Sequence, residues 1–199
     1  LCAATALVTT LTSMTATAQA TDPAPRPLDG PVIQRIRDKQ AITIAYDPNQ
    51  APFSLLGDDG QPTGYTIDLC RIVASQLVTQ LNMGLMDVRW VKTNSRSRFE
   101  AIESGDADLE CSATSNTLDR QKQFAFSLTT FIQGATIAVR QDADLQKLEE
   151  LDSKKIAVVR NTTTSKMLKR AIANGQLQGT LVEAKNMEAA ANMLASKEV

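Results

Sequence analysis

The hydrophobic positions along the chain change period repeatedly, and each change marks an element. Val32, Ile33 and Ile36 share one face of a short helix over 32–40. AITIAY at 41–46 is a β-branched run of the kind that forms a buried strand. Residues 47–63 carry Asp-Pro, Ala-Pro-Phe-Ser and Asp-Asp-Gly turn signals and read as a loop. From Gly64 the period lengthens, and Cys70, Val73, Ala74, Leu77 and Leu81 recur at helical spacing. A strand is expected over 85–93, a short helix over 98–104 closed by Gly105, and a third strand over 107–111. TFIQGATIAVR at 130–140 reads as one extended segment, followed by a short amphipathic helix over 144–151. Then come a strand at 155–159, a helix with Met167, Leu168, Ala171 and Ile172 inward, a strand at 180–184, and a last helix capped by Asn186 and running through Leu194. Strands alternating with helices at this pitch predict an α/β architecture with a mainly parallel sheet. In such sheets ligands sit beyond the carboxyl ends of the strands.

Composition narrows the function. The 199 residues carry a formal net charge of -1, which gives no electrostatic reason to expect nucleic acid or an anionic membrane as partner. Histidine is absent, removing the commonest general base and metal ligand. The cysteines Cys2, Cys70 and Cys111 lie in no metal-ligand spacing. Residues 1–20 are uncharged, Ala/Thr-rich and mildly apolar, and end Ala18-Gln19-Ala20. That small-x-small ending reads as the cleavage site of a signal peptide clipped at its start, with cleavage after Ala20 and export to the periplasm. Cys2 lies at the wrong end of this segment for a lipoprotein site. Residues 21–31, with four prolines and a glycine, read as an extended, mobile linker. In an oxidising compartment Cys70 and Cys111 either form a disulfide or stay as two separately buried thiols.

The candidate chemistry lies in ECSATSNTLDRQKQFAFS, residues 110–127. Small hydroxylated residues (Ser112, Thr114, Ser115, Thr117) and backbone N–H groups can close round a small ligand there. Arg120 beside them offers a flat, two-pronged donor that fits a carboxylate. The plainer alternative is a solvated loop with Thr117 capping a surface helix. Arg160-Asn161-Thr162-Thr163-Thr164-Ser165 is a second such place. There, hydroxyls and free N–H groups at a helix start, just past a strand, suit an anion, or simply cap the helix.

The whole run TNSRSRFEAIESGDADLECSATSNTLDRQKQFAFS closely resembles the polar amino-acid branch of bacterial periplasmic solute-binding proteins, the receptors of ABC importers. Within that branch it looks most like the glutamate/aspartate receptors, and the likeness runs from about Ala41 to the end of the chain. The resemblance implies a type II, two-lobed (Venus-flytrap) periplasmic-binding-protein fold, with lobe 1 over 32–130, a crossover at 131–140 and an incomplete second lobe over 141–199. It implies no cofactor, no metal and no catalysis. The partners it implies are an amino acid, glutamate or aspartate first, and a membrane permease served by a monomeric receptor.

The resemblance also assigns roles. Arg120 takes the ligand α-carboxylate, assisted by Ser115, and the Ala113 carbonyl accepts from the α-ammonium. Thr163 and Thr164 contact the ligand from the second lobe, while Ser95 and Arg98 line its side-chain pocket. Asp47 and Met187 depart from the acidic-ligand pattern, which has Arg and His there, and Asp47 is expected to face solvent. Thr162 stands where a glycine is usual. Two rival classes share the fold. A periplasmic dehydratase acting on cyclohexadienyl acids would need an acid/base carboxylate, for which Glu110 and Asp119 are candidates. A sensor ectodomain of a membrane kinase would need a downstream transmembrane helix.

Overall fold

The computed structural model describes residues 28–143, 145 and 147–199. The signal segment and most of the expected linker lie outside them. Helix α1 (Pro31–Lys39) leads into strand β1 (Ala41–Tyr46), the centre of a three-stranded parallel sheet. Strand β1 shows why the sheet is layered as it is. Its even positions, Ile42, Ile44 and Tyr46, are large and join one buried cluster with Ile36, Ile67, Cys70, Ala74 and Leu81. Its odd position Ala45 packs instead with Ala101 and Ala107. Period-two alternation thus sends bulk to one face and leaves the other shallow.

The stretch after β1 holds more structure than the loop expected there. It forms a small antiparallel meander of β2 (Asn49–Gln50), β3 (Ser54–Leu56) and β4 (Pro62–Thr63). Gly64 then opens helix α2 (Tyr65–Gln80) with φ of 120°. A Cβ at Gly64 would sit 2.6 Å from the Phe53 carbonyl oxygen, so only glycine lets helix and meander approach this closely. Ile67, Cys70 and Ala74 are the buried residues of α2, whereas Val73, expected inward, is 45% exposed. Phe53 and Tyr65 also hold Phe131 in an edge-on aromatic cluster, and the Tyr65 hydroxyl donates to the Thr130 carbonyl at 2.8 Å.

Strands β5 (Asp87–Lys92) and β6 (Leu109–Glu110) pair in parallel on either side of β1, and helix α3 (Ser97–Glu103) lies between them in sequence. Arg35 on α1 binds Asp108 at 2.6 Å, and the other Asp108 oxygen accepts from the Thr43 N–H at 2.9 Å. Cys70 and Cys111 form a disulfide, which ties α2 to the residue after β6 and resolves the alternative the sequence leaves open.

Residues 130–140 carry no regular secondary structure and link the first sheet to a second. Of the helix expected over 144–151, residues 144 and 146 lie outside the described residues, and Leu148–Leu151 form a 3-10 turn. Strands β7 (Lys155–Val159) and β8 (Thr180–Ala184) pair in parallel, with helices α5 (Thr163–Ala173) and α6 (Met187–Ala195) following them. Leu168, Ala171 and Ile172 pack on the cluster of Leu151, Ile156 and Leu177. Met167, expected with them, is half exposed. The Asn186 side chain accepts from the Ala189 N–H and caps α6 as expected.

Candidate functional site

Every residue singled out for binding follows the carboxyl end of a parallel strand. Asp47 follows β1, and Ser95 and Arg98 follow β5. Ala113, Ser115 and Arg120 follow β6, while Thr163 and Thr164 follow β7. Parallel pairing therefore places four separate stretches of sequence beyond the carboxyl ends of their strands, where ligands of such sheets sit.

Two guanidinium groups dominate this edge. Arg98 is 3% exposed, and its Nε and Nη1 have no hydrogen-bond partner among the described residues. Burial pushes its pKa down, and the charges of Glu110 and Asp47 pull it back up. Arg120 is half-buried on the short helix α4 (Leu118–Gln121), which Thr117 caps. Its Nη1 donates to the Ser115 carbonyl at 2.7 Å. Burial lowers the Arg120 pKa, the like charge of Arg98 lowers it further, and Glu110 opposes both. The Phe99 ring lies 5.2 Å from the Arg98 guanidinium carbon and 4.8 Å from that of Arg120. One aromatic ring thus attracts both cations and offsets part of their repulsion. Sequence reasoning missed Phe99, although it stands directly after Arg98.

The turn after β6 is less open than its composition implies. The Ala113 N–H is not free, since it donates to Gln50 Oε1 at 2.7 Å. The Ser112 hydroxyl donates to the Glu110 carboxylate in a short contact and lies 3.3 Å from the Thr114 hydroxyl. Burial pushes the Glu110 carboxyl up. The Ser112 hydroxyl, the Arg98 charge and the Thr114 hydroxyl pull it down, and Asp47 adds to the rise. A raised carboxyl contributes stability that is fully present below the unfolded glutamate pKa, about 4.3, and is lost as pH rises through the folded value. Glu110→Gln removes that loss. Its unfolding midpoint should match that of the wild type at low pH and exceed it at neutral pH. Parallel midpoint-against-pH profiles would refute this.

Asp47 does not face solvent. It is 4% exposed, with Oδ1 accepting from the Asn49 N–H at 3.0 Å and Oδ2 from Gln50 Nε2 at 2.9 Å. The first of these is an Asx turn, a local motif that Asp-Pro-Asn already signals. Asp119, by contrast, is exposed and lies 3.1 Å from both Lys166 and Lys122, whose hydrogen bonds lower its pKa. It is a poor proton donor at neutral pH.

Contacts also run between the two sheets' loops. The Ser95 hydroxyl donates to the Arg160 carbonyl at 3.0 Å, rather than standing free in a pocket. The Ser115 and Thr163 hydroxyls lie 3.2 Å apart, and Lys166 of α5 reaches Asp119 of α4. Thr163 and Thr164 form the first turn of α5, and Thr162 caps it by accepting from the Ser165 N–H at 3.1 Å. Met187 is exposed at the start of α6.

Comparison with known proteins bears on the family and the fold. The chain is 29% identical over 155 residues to an L-glutamate/L-aspartate-binding protein of Pseudomonas aeruginosa, an alignment covering 77% of this chain and 51% of that one. The chain spans about half the length of the curated relatives it matches. Among solved structures, an ancestral amino acid-binding protein described as a precursor of cyclohexadienyl dehydratase superposes with a TM-score of 0.73 at 26% identity, covering 84% of this chain and 71% of that one. An arginine-bound substrate-binding protein of an amino acid ABC transporter from Streptococcus pneumoniae gives 0.71 at 25% identity, covering 84% and 68%. The family model for bacterial extracellular solute-binding proteins, family 3, matches residues 42–188, and the chain belongs to that family.

Proposed function

We propose that this chain forms the ligand-binding part of an exported periplasmic receptor that takes a polar amino acid, glutamate or aspartate first. In this reading 32–130 and 141–199 belong to two lobes that close on the ligand by hinge bending about 131–140. Hinge closure of two lobes around a ligand needs only a few backbone residues that absorb the change in φ and ψ. The closed form then presents the amino acid to an ABC permease.

The observation that carries the reading is the pair of guanidiniums, above all Arg98. A buried cation with two unpartnered nitrogens is costly unless something arrives to pair with it. An acidic amino acid brings two carboxylates to two guanidiniums, one for Arg120 and one for Arg98. The glutamate/aspartate-binding relative supports this choice, and the arginine-bound neighbour keeps a cationic ligand as the competitor to exclude.

Titration of the full-length gene product with glutamate, aspartate, glutamine, asparagine, arginine and lysine tests it. A charge-assisted hydrogen bond to Arg98 contributes about 1.5–3 kcal/mol, a preference of roughly tenfold to hundredfold for acid over amide. Arg98→Met should erase that preference. Tightest binding to a cationic or amide ligand, or an unchanged preference in Arg98→Met, would overturn the assignment.

One feature favours the dehydratase reading. The raised Glu110 carboxyl could hold a proton near the cleft, and one structural neighbour is described as a dehydratase precursor. Turnover of prephenate or arogenate, lost in Glu110→Gln, would decide for the enzyme. Asp119, exposed and paired with lysines, is not suited to that role.

A further inference from the structure

A carboxylate at the position of Asp47 would ordinarily be taken to read the ligand side chain, repelling acids and attracting cations. The hydrogen bonding points elsewhere. Asp47 has almost no exposed surface, and both of its oxygens are engaged by its own loop. Its Oδ2 accepts from Gln50 Nε2 at 2.9 Å, and Gln50 Oε1 accepts from the Ala113 N–H at 2.7 Å. The two ends fix which way the Gln50 amide points. The carboxylate takes only a donor, and the peptide N–H gives only to an acceptor. Turning the amide over would set donor against donor and acceptor against acceptor. The chain Asp47–Gln50–Ala113 thus crosses from the loop after β1 to the turn after β6, a separation of 63 residues between Gln50 and Ala113.

We propose that Asp47 and Gln50 are positioning residues that set the peptide between Ser112 and Ala113. They thereby set the start of the turn that receives the ligand's α-amino and α-carboxyl groups. The inference rests on the reading of this site as an amino-acid receptor and adds a division of labour to it. Arg98 distinguishes side chains, and the Asp47–Gln50 relay serves the part common to every amino acid. Asp47 acts on Arg98 only at a distance, as a counter-charge that favours its ionised form.

The relay's directionality supplies a test that a merely structural role would not pass. Asp47→Asn places an amide N–H₂ against that of Gln50, and Gln50→Glu places a carboxylate against Asp47. Each should weaken glutamate, glutamine and lysine, by roughly ten- to hundredfold, because a buried polar pair is left mismatched. The ratios among the three ligands should stay within about threefold in Asp47→Asn, whereas the charge added by Gln50→Glu should also disfavour glutamate relative to lysine. The double variant Asp47→Asn/Gln50→Glu restores a donor at 47 facing an acceptor at 50, and keeps an acceptor for the Ala113 N–H. It should recover affinity to within a few-fold of the wild type.

Calorimetric titration of the four full-length proteins with these three amino acids, alongside their unfolding midpoints, reads all of this. A shift of the glutamate-to-lysine ratio by more than tenfold in Asp47→Asn would overturn the proposal and make Asp47 a reader of the side chain. Failure of the double variant to recover binding, with the wild type binding normally, would overturn it as well. If the wild type bound none of the standard amino acids, the receptor reading itself would fall, and the relay with it.

Discussion

Arg120→Ala is expected to abolish measurable binding of every amino acid while leaving the fold intact. The α-carboxylate is common to all such ligands, so the loss should not depend on side chain. Leaving a buried carboxylate without its partner costs on the order of 3–5 kcal/mol, roughly two to four decades of affinity. Little structural penalty accompanies the change. Arg120 is half-buried on a four-residue helix, and its hydrogen bond to the Ser115 carbonyl is exposed. Calorimetry on the full-length variant, with a thermal midpoint to confirm folding, separates the two effects. Near-normal affinity would mean that the carboxylate sits elsewhere, and Arg98 would be the first alternative.

The second large effect is on stability. Replacing both Cys70 and Cys111 with serine should lower the unfolding free energy by about 4 kcal/mol, the chain-entropy cost of releasing a loop of this length. For a chain of this size that is a fall of roughly 10 °C in the midpoint. The bridge also joins the middle of the first buried cluster to the residue between Glu110 and Ser112. Its loss should therefore loosen the ligand turn at its root. Denaturant unfolding of wild type and double variant under non-reducing conditions gives the comparison. Coincident curves would mean that the unfolded chain gains nothing from release.

How far the sequence anticipates this protein depends on the length of the signal. Strands β1, β7 and β8 have the bounds expected from their β-branched runs, because five or six residues show a period and turn residues bracket them. Helices α2 and α6 begin at Gly64 and Asn186, residues whose chemistry starts helices. The meander of β2 to β4 was hidden, since strands of two or three residues have no period to show. Val73 and Met167 sit at helical spacing but at the margin of their apolar faces, beyond what the neighbouring clusters cover.

The site divides along similar lines. Arg120 was legible as a cation among small polar residues, and Arg98 was singled out through the family resemblance. The burial of Arg98 and the role of Gln50 were not legible, because both arise from segments far apart in sequence. Asp47 is the instructive case. Its Asx turn is local and readable, but its contact through Gln50 to Ala113 is tertiary, and the first without the second suggests a solvent-facing loop.

The aromatic clasp on residues 130 and 131 bears on how such a receptor would articulate. Phe131 is wedged against Phe53 and Tyr65, and the Tyr65 hydroxyl grips the carbonyl just before it. The strap that leaves the first sheet is therefore moored at its near end, and its slack begins at Ile132, which is 87% exposed. If the proposed closure takes place, torsion between the two sheets would be taken up by the backbone beyond that mooring. Removing the Tyr65 hydroxyl would take away the hydrogen bond and keep the ring contacts, so the near end of the pivot would be held by packing alone.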